Sequence, residues 1–197
     1  MGMAFPFERI AGCVLAAGAS RRMGEVNKLL LLQDGIPLVR RLVERYLDAG
    51  ASRLLVVVGH EAELIRAALG DLPILFVDHV GYNEGMGSSV AAAMPHLSAM
   101  ELEGFFVSPG DLPDLTVSAI QLLEARFRQT SLRQVVRPVH RGLPGHPVFF
   151  PAHWIDRLSV LRGEEGARRL IGPGDRVLVP IDNPGVIRDV DTPADWG

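Results

Sequence analysis

The sequence predicts an α/β protein with three layers, α/β/α, around a mostly parallel, Rossmann-like sheet. Apolar runs such as RIAGCVLAA and LLVVV are typical of strands that are buried on both faces. Amphipathic helical segments alternate with these runs, which is the pattern of parallel strands joined by helical crossovers. A Gly-rich polar loop directly follows the first run. Because ligands of open α/β sheets bind at the carboxyl ends of the strands, this loop is a candidate binding site.

The individual elements follow from the same patterns. In the first two-thirds we expect strand 9–17, a helix that Pro37 opens and Gly50 ends, strand 54–58, helix 61–69, strand 73–77, helix 88–97, strand 104–107 and helix 116–127. The last third changes character: we expect strands 134–139, 147–150, 176–179 and 186–189, with helices near 151–161 and 165–171. Neither a linker nor a repeat interrupts the 197 residues, which predicts one domain over 1–197.

Composition excludes several classes of protein. With 48% hydrophobic and 22% charged residues, the chain can bury a sizeable core, and wholesale disorder is not expected. The net charge of −3 and the lack of a long basic stretch argue against a nucleic-acid partner. Cys13 is the single cysteine, so neither an internal disulfide nor a Cys-rich zinc site can form. The six histidines lack metal-ligand spacing.

The same pass along the chain predicts a cytoplasmic protein without a membrane partner. The N-terminus MGMAFPFERI lacks the basic and apolar regions of a signal peptide. The sequence also lacks an apolar stretch of about 18 residues, the length that a membrane-spanning helix requires.

The loop after the first strand, residues 18–27, has the chemistry of a phosphate-binding loop. Gly18 and Gly24 allow the backbone N–H groups to approach phosphate oxygens, and Arg22 and Lys28 supply positive charge. Lys28 is the one lysine beside 19 arginines, which indicates that a compact ammonium group is required there. The dinucleotide and P-loop glycine motifs are both absent. On spacing alone, a solvated turn is an equally good interpretation.

A longer pattern distinguishes these two interpretations. The segment LAAGASRRMG followed by NKLLL resembles the opening signature of the MobA-like nucleotidyltransferases. Five further segments resemble the molybdenum cofactor cytidylyltransferase branch of that family: GMGSSVAAA, SPGDLP, RGLPGHPVFF, GEEGARRLI and DVDTPADW. The resemblance implies a fold of the nucleotide-diphospho-sugar transferase type, with a nucleotide-binding part at about 9–115 and an acceptor-binding part at about 116–197. The segment GEEGAR departs from the G-D-x-G-A-R of relatives, which weakens any specific role for its acid.

The resemblance also assigns residues to the nucleotide. It implies that the loop binds the triphosphate, with Arg22 and Lys28 as catalytic cations, and that the GMGSS turn contributes to base recognition. An N-terminal cap of the following helix is the alternative for that turn. The implied nucleotide-binding residues are Leu15, Ala16, Ala17, Gly18, Arg22, Lys28, Gly87 and Ser88.

Two carboxylates are candidates for binding Mg²⁺, the cofactor that the resemblance implies. Asp111 follows the predicted strand 104–107, where a sheet-edge site lies, and Mg²⁺ is usually held by one or two carboxylates plus substrate phosphates. Asp111 would then be catalytic; the alternative is that it caps the next helix. Asp189 or Asp191 would complete the site, and we favour Asp189 as the metal ligand and Asp191 as a helix cap.

The Gly- and Pro-rich segment 140–147 is the candidate acceptor site. By resemblance Arg141 and His146 would bind the acceptor, and a tight surface turn between strands is the alternative. The implied reaction transfers CMP from CTP to the terminal phosphate of molybdenum-loaded molybdopterin, and a client molybdoenzyme would be a further partner. The alternatives are a relative that uses GTP or another phosphorylated acceptor, and a non-catalytic insertion chaperone that binds the cofactor.

Overall fold

A computed structural model of the chain describes Phe7, residues 9–19 and residues 26–189. The strands are β1 (Ile10–Ala16), β2 (Leu32–Gln33), β3 (Ile36–Pro37), β4 (Leu54–Val58), β5 (Leu75–Asp78), β6 (Gly104–Pro109), β7 (Val135–His140), β8 (Leu143–Pro144), β9 (Val148–Pro151) and β10 (Arg176–Pro180). The helices are α1 (Leu38–Asp48), α2 (Ala62–Leu69), α3 (Met86–Ser98), α4 (Val117–Gln129) and α5 (Ile155–Ser159).

Eight strands form one sheet in the order β10-β7-β9-β6-β1-β4-β5, with β8 paired to β7. β1 pairs in parallel with both β4 and β6, and β4 pairs in parallel with β5. β9 runs antiparallel between β6 and β7, so β7 and β10 again run parallel to β1. The predicted mostly parallel, Rossmann-like sheet is therefore confirmed.

Helices cover both faces of this sheet and complete the three layers. Side chains of α1, α2 and α4 pack on one face, in a core that includes Val14, Val56 and Phe106. Side chains of α3 and α5 pack on the other face, in a second core that includes Cys13 and Leu55. Successive residues of a strand point to opposite faces, which explains why the central strands are apolar at nearly every position.

An aromatic cluster fills the first core beneath α1. The ring of Phe106 stacks on Tyr46 with centroids 4.6 Å apart, and it contacts Phe7 at 5.9 Å and Phe149 at 5.3 Å. Gly12 on β1 leaves room for this ring, because a Cβ atom there would lie 2.2 Å from Phe106 Cζ. The cluster thereby joins β1, β6 and β9 to α1.

The predicted strand 186–189 is wrong. Pro184–Val186 forms a 3-10 turn instead, and residues 187–189 are irregular. Gly185 packs so closely on Asp114 that a Cβ atom would lie 2.1 Å from the Asp114 carbonyl oxygen. The backbone therefore makes a tight contact with another loop at this point, instead of pairing with a strand.

Smaller differences occur at other elements. The predicted helix 151–161 divides into a 3-10 turn, Ala152–Trp154, and α5. The predicted helix 165–171 is a 3-10 turn, Ala167–Leu170. A short antiparallel ribbon of β2 and β3 precedes α1 and was not expected.

Two further observations bear on the interpretation of the composition. Cys13 is fully buried, and burial raises the pKa of its thiol to about 12. In the described part of the chain, no helix has the length and the apolar character to cross a membrane.

Replacing Phe106 by Ala should lower the free energy of unfolding by about 3–5 kcal/mol, because the substitution removes a fully buried ring and leaves a cavity. Urea unfolding followed by circular dichroism measures this change. Leu178→Ala on the edge strand β10 is the control, since 47% of that residue is exposed and its loss should be small. Equal losses for the two variants would contradict the assignment of Phe106 to the core.

Candidate active site

A cleft of about 340 Å³ opens at the carboxyl edge of the sheet. Residues from four stretches line it: 15–19 at the end of β1, 28–29, 82–89 around the start of α3, and 109–111 at the end of β6. Glu164 lies at one side of the cleft. β1 and β6 are neighbours in parallel register, so the loops that follow them meet. The cleft therefore lies where the sequence predicted a ligand site.

An ion pair between Lys28 and Asp111 lies in this cleft. The ammonium Nζ of Lys28 contacts Oδ2 of Asp111, and the two side chains are 17% and 9% exposed. Lys28 begins a 3-10 turn that Asn27 caps, with Asn27 Oδ1 accepting a hydrogen bond from the Leu29 N–H at 3.1 Å. On the other side, the Gly110 N–H donates to the Leu15 carbonyl at 3.0 Å. These backbone contacts hold the lysine and the carboxylate at the mouth of the same cleft.

The second carboxylate oxygen of Asp111 is a candidate metal-binding atom. Asp111 Oδ1 is buried and has no hydrogen-bond partner among the residues that the structure describes. Burial raises the pKa of Asp111, Lys28 opposes that rise, and the nearby charge of Asp189 adds to it. An unpartnered buried oxygen and a second acid in its field are the donor set that a hard divalent cation requires.

Asp189 lies close enough for its charge to act on Asp111 because the segment that contains it is bonded to the loop after Asp111. Asn183 Nδ2 donates to Thr116 Oγ1 at 3.0 Å, and Arg188 Nη1 donates to Asp114 Oδ2 at 2.7 Å. These bonds fasten the segment after β10 to the loop that follows Asp111. Asp191 lies outside the described residues. Within the described part, no group of three or more His, Cys, Asp or Glu side chains could hold a metal ion.

The GMG and GEEG motifs pack against each other. The Gly87 N–H donates to the Gly163 carbonyl at 2.8 Å. A Cβ atom on Gly87 would lie 2.5 Å from the Glu165 carbonyl oxygen, and one on Gly85, where φ is 109°, would lie 2.5 Å from the Gly163 carbonyl carbon. These glycines therefore allow the start of α3 to approach the loop that brings Glu164 to the cleft.

Ser88 holds the turn behind the cleft wall. Its Oγ donates to the Gly85 carbonyl at 2.7 Å, and His79 Nε2 lies 2.9 Å from the same hydroxyl. Burial lowers the pKa of His79, and Glu84 opposes this shift. The next residue, Ser89, is the serine that lines the cleft. The bond of His79 to Ser88 makes this histidine a support of the cleft wall.

The structure brings together some of the residues that the sequence predicted. Five of them line the cleft: Leu15, Ala17, Gly18, Lys28 and Asp111. Six others that the structure describes do not line it: Ala16, Gly87 and Ser88, which are buried, His146, which is partly buried, and Arg141 and Asp189, which are exposed. Arg22 lies outside the described residues, so its predicted phosphate contact stays a prediction.

The predicted acceptor residues lie beyond the cleft, near the carboxyl end of β7. Arg141 and Gly142 form the two-residue turn between β7 and β8, with φ angles of 48° and 83°. His146 follows, and its backbone N–H donates to the Val186 carbonyl at 2.7 Å. Burial, with Arg137 alongside, lowers the pKa of the His146 imidazole to about 4. Arg141 therefore lies in a tight turn between two strands, which is the alternative that the sequence offered for this segment.

Sequence reasoning missed several residues of the cleft. Tyr82, Asn83, Ser89 and Glu164 line it. Tyr82 packs on the end of β4, where a Cβ atom on Gly59 would lie 2.6 Å from Tyr82 Cβ. The glycine that directly follows the LLVVV run is a signal that could have indicated this close packing.

Comparison with known proteins agrees with this geometry. The MobA-like NTP transferase domain matches residues 12–177. Molybdenum cofactor cytidylyltransferase of Escherichia coli (strain K12) is 30% identical over 189 residues, which cover 93% of this chain and 92% of that protein. A homologue of Rv0371c from Mycobacterium sp. strain JC1 is 30% identical with a TM-score of 0.77, covering 95% of this chain and 93% of the other. A Methanothermobacter nucleotidyl transferase has a TM-score of 0.81 at 20% identity, covering 96% and 94% of the two chains.

The family match places the chain among the nucleotidyltransferases, and its fold is of the nucleotide-diphospho-sugar transferase type. More narrowly, the chain belongs to the MobA-like NTP transferase family.

Replacing Gly87 by Ala should lower the free energy of unfolding by about 1–3 kcal/mol, because the new methyl group would collide with the backbone of residues 163–165. Differential scanning calorimetry measures the change. Gly18→Ala is the matched control: no atom of the described residues lies within 4 Å of a Cβ atom there, so its stability should stay near that of the wild type. A Gly87→Ala variant as stable as Gly18→Ala would argue against the packing described between the two motifs.

Proposed function

We propose that this protein transfers the CMP unit of CTP to the terminal phosphate of molybdenum-loaded molybdopterin and releases pyrophosphate. The observation that carries the proposal is the Lys28–Asp111 pair, which lies beside the Gly18 loop in a cleft at the carboxyl edge of the sheet. The name of the Escherichia coli relative supports the nucleotide and the acceptor. The function implies a cytoplasmic enzyme and a molybdoenzyme that receives its product.

Positive charge for the triphosphate comes from the loop after β1 and from Lys28. In the structure Lys28 is paired with Asp111. A triphosphate in the cleft would offer this ammonium group several phosphate oxygens, and Asp111 would then be available to a cation. Arg22 belongs to the same loop and is the second cation of the proposal.

The residues present fit Mg²⁺, with Asp111 and Asp189 as the carboxylates that would hold it. The Asp111 oxygen without a partner and the proximity of Asp189 support this choice. Bound Mg²⁺ would neutralise negative charge on the phosphates during transfer. The side chains of the protein would hold and orient the two reactants, which is the main contribution that a protein makes to transfers of this type.

The reaction needs no nucleophile from the protein. An oxygen of the acceptor's terminal phosphate would attack the α-phosphorus of CTP and form a new P–O bond. The bond between the α-phosphorus and the bridging oxygen would break, and pyrophosphate would leave with the electron pair. Lys28 would stabilise the charge that develops on the transferring phosphates, while Arg141 and His146 would contact the acceptor beyond the cleft.

The choice of CTP over GTP follows from size and hydrogen bonding. Ala17 and Met86 both line the cleft, and half of Met86 is exposed there. A pyrimidine is smaller than a purine and fits closer to this wall. A site built to pair with the edge of one base rejects a base that leaves its buried polar groups unpaired.

We expect kcat/KM to be highest for CTP when CTP, GTP, ATP and UTP are compared with Mg²⁺ and molybdenum-loaded molybdopterin. Pyrophosphate release measures the rates, and mass spectrometry of the product identifies the joined nucleotide. Reactions without the acceptor are the control for nucleotide hydrolysis.

A preference for GTP would overturn the cytidylyl assignment and leave the nucleotidyltransferase class intact. Tight binding of the cofactor with no turnover of any nucleotide would instead favour the insertion-chaperone alternative.

Asp111→Asn should lower the Mg²⁺-dependent rate by about 10²-fold or more, because a preorganised charge that acts in the transition state is lost. Burial raises the pKa of Asp111, so ionising this carboxyl group costs folding free energy. The cost appears as pH rises above the pKa of the group in the unfolded chain, and it grows until pH exceeds the pKa of the group in the folded protein. The neutral Asn removes that cost. Loss of the carboxylate that pairs with Lys28 opposes this gain, so the melting temperature without divalent cations at pH 7 should stay near that of the wild type.

Asp156→Asn is the control, since Asp156 is exposed on α5 and should affect neither quantity. An Asp111→Asn variant with normal turnover and a lower melting temperature would mean that Asp111 only stabilises the fold.

A further inference from the structure

A second group of charged side chains lies on the acceptor half of the sheet, around Arg137 of β7. Val135, two residues earlier, packs in the core beneath α3 and α5, so Arg137 points toward the same face. Arg137 is partly buried, and its Nε donates to the Gly145 carbonyl at 3.0 Å. The guanidinium group is thus fixed at its Nε, and its two terminal nitrogens form the free end of the side chain.

Two other arginines approach this group from different elements. Arg176 opens β10 opposite Val135, and Arg168 lies in the 3-10 turn Ala167–Leu170. Burial lowers the pKa of Arg137, and the charges of Arg168 and Arg176 lower it further, so both of these guanidinium groups lie within electrostatic range of Arg137.

This cluster has no acidic partner among the residues that the structure describes. In residues 26–189, no carboxylate lies within ion-pair distance of Arg137, Arg168 or Arg176. The adjacent Arg169, by contrast, pairs with Glu165 at 2.5 Å. Two like charges beside a partly buried guanidinium group are unfavourable unless an anion joins them.

The cluster also lies next to the nucleotide cleft. The loop that precedes Arg168 packs against Gly87, and it brings Glu164 to the cleft wall. His146, beside Arg137, has a buried Nδ1 that lacks a partner among the described residues. A ligand bound by this cluster would therefore lie between the cleft and the proposed acceptor residues.

We propose that Arg137, Arg168 and Arg176 form an anion subsite that binds a phosphate-class group of the acceptor. The assignment rests on the proposed nucleotidyl transfer, because it names the part of the acceptor that the far half of the sheet recognises. Guanidinium groups suit a phosphate because their planar N–H pairs match its oxygens in two-point hydrogen bonds.

Isothermal titration of the full chain with inorganic phosphate at low ionic strength tests the subsite directly. Arg168→Gln should raise the dissociation constant for phosphate about tenfold, as expected for the loss of one charge-assisted contact. Arg169→Gln is the matched control: it removes the same charge from the neighbouring exposed residue and should bind phosphate like the wild type. Arg168 is exposed, so its replacement should leave the fold unchanged. Phosphate binding that is equal in Arg168→Gln and in the wild type, or absent from the wild type, overturns the proposal.

Kinetics with CTP and molybdenum-loaded molybdopterin separate the subsite from the function on which it rests. Arg168→Gln should raise the KM for the acceptor about tenfold while kcat and the KM for CTP stay near wild-type values. Phosphate binding that depends on Arg168 in a protein without transferase activity would support the subsite and refute the proposed function. If the enzyme is active, and Arg168→Gln leaves both phosphate binding and the KM for the acceptor at wild-type values, the subsite alone is refuted.

Discussion

The parallel pairing of β1 with β6 is the constraint on which the cleft depends. Hydrogen bonds between these strands align Leu15 with Pro109, so both chains leave the sheet at the same level. The loop after β1 then carries Gly18, and the loop after β6 carries Asp111. Lys28 reaches Asp111 because the turn that it begins lies over this junction. Burial of the strands on both faces fixes their register, and the register in turn brings the charged residues together.

Most of the fold could be predicted from the sequence because its strands are fully buried. Continuous apolar runs identify β1, β4 and β6 within a residue or two, and amphipathic spacing identifies α1 and α4. The direction of β9 could not be predicted, because an antiparallel strand in the middle of a mostly parallel sheet has the same apolar pattern as its neighbours. The segment after Gly185 was expected to form a strand, but its place is set by a close backbone contact between Gly185 and Asp114, which sequence spacing does not indicate.

The candidate site was predictable where it depends on residues that directly follow buried strands. Glycine and charged residues next to the strand ends indicated Gly18, Lys28 and Asp111, because elements of this type meet at one edge of a sheet. Contacts between distant segments were not predictable. Gly87 and Gly163 meet although 76 positions separate them in the sequence, and Gly87, which was predicted to bind the nucleotide, allows these two segments to pack. The arginine cluster around Arg137 likewise depends on three separate elements.

The buried Cys13 makes this chain a convenient host for spectroscopic probes. It is the single cysteine, it is enclosed between β4 and β6 at the centre of the sheet, and its raised pKa keeps the thiol protonated at neutral pH. Since the thiolate is the form that reacts with maleimides, the native protein should take up almost no label while folded. One cysteine introduced at an exposed position, such as Glu164 beside the cleft, would then carry a fluorophore at a single defined point without first replacing the native residue.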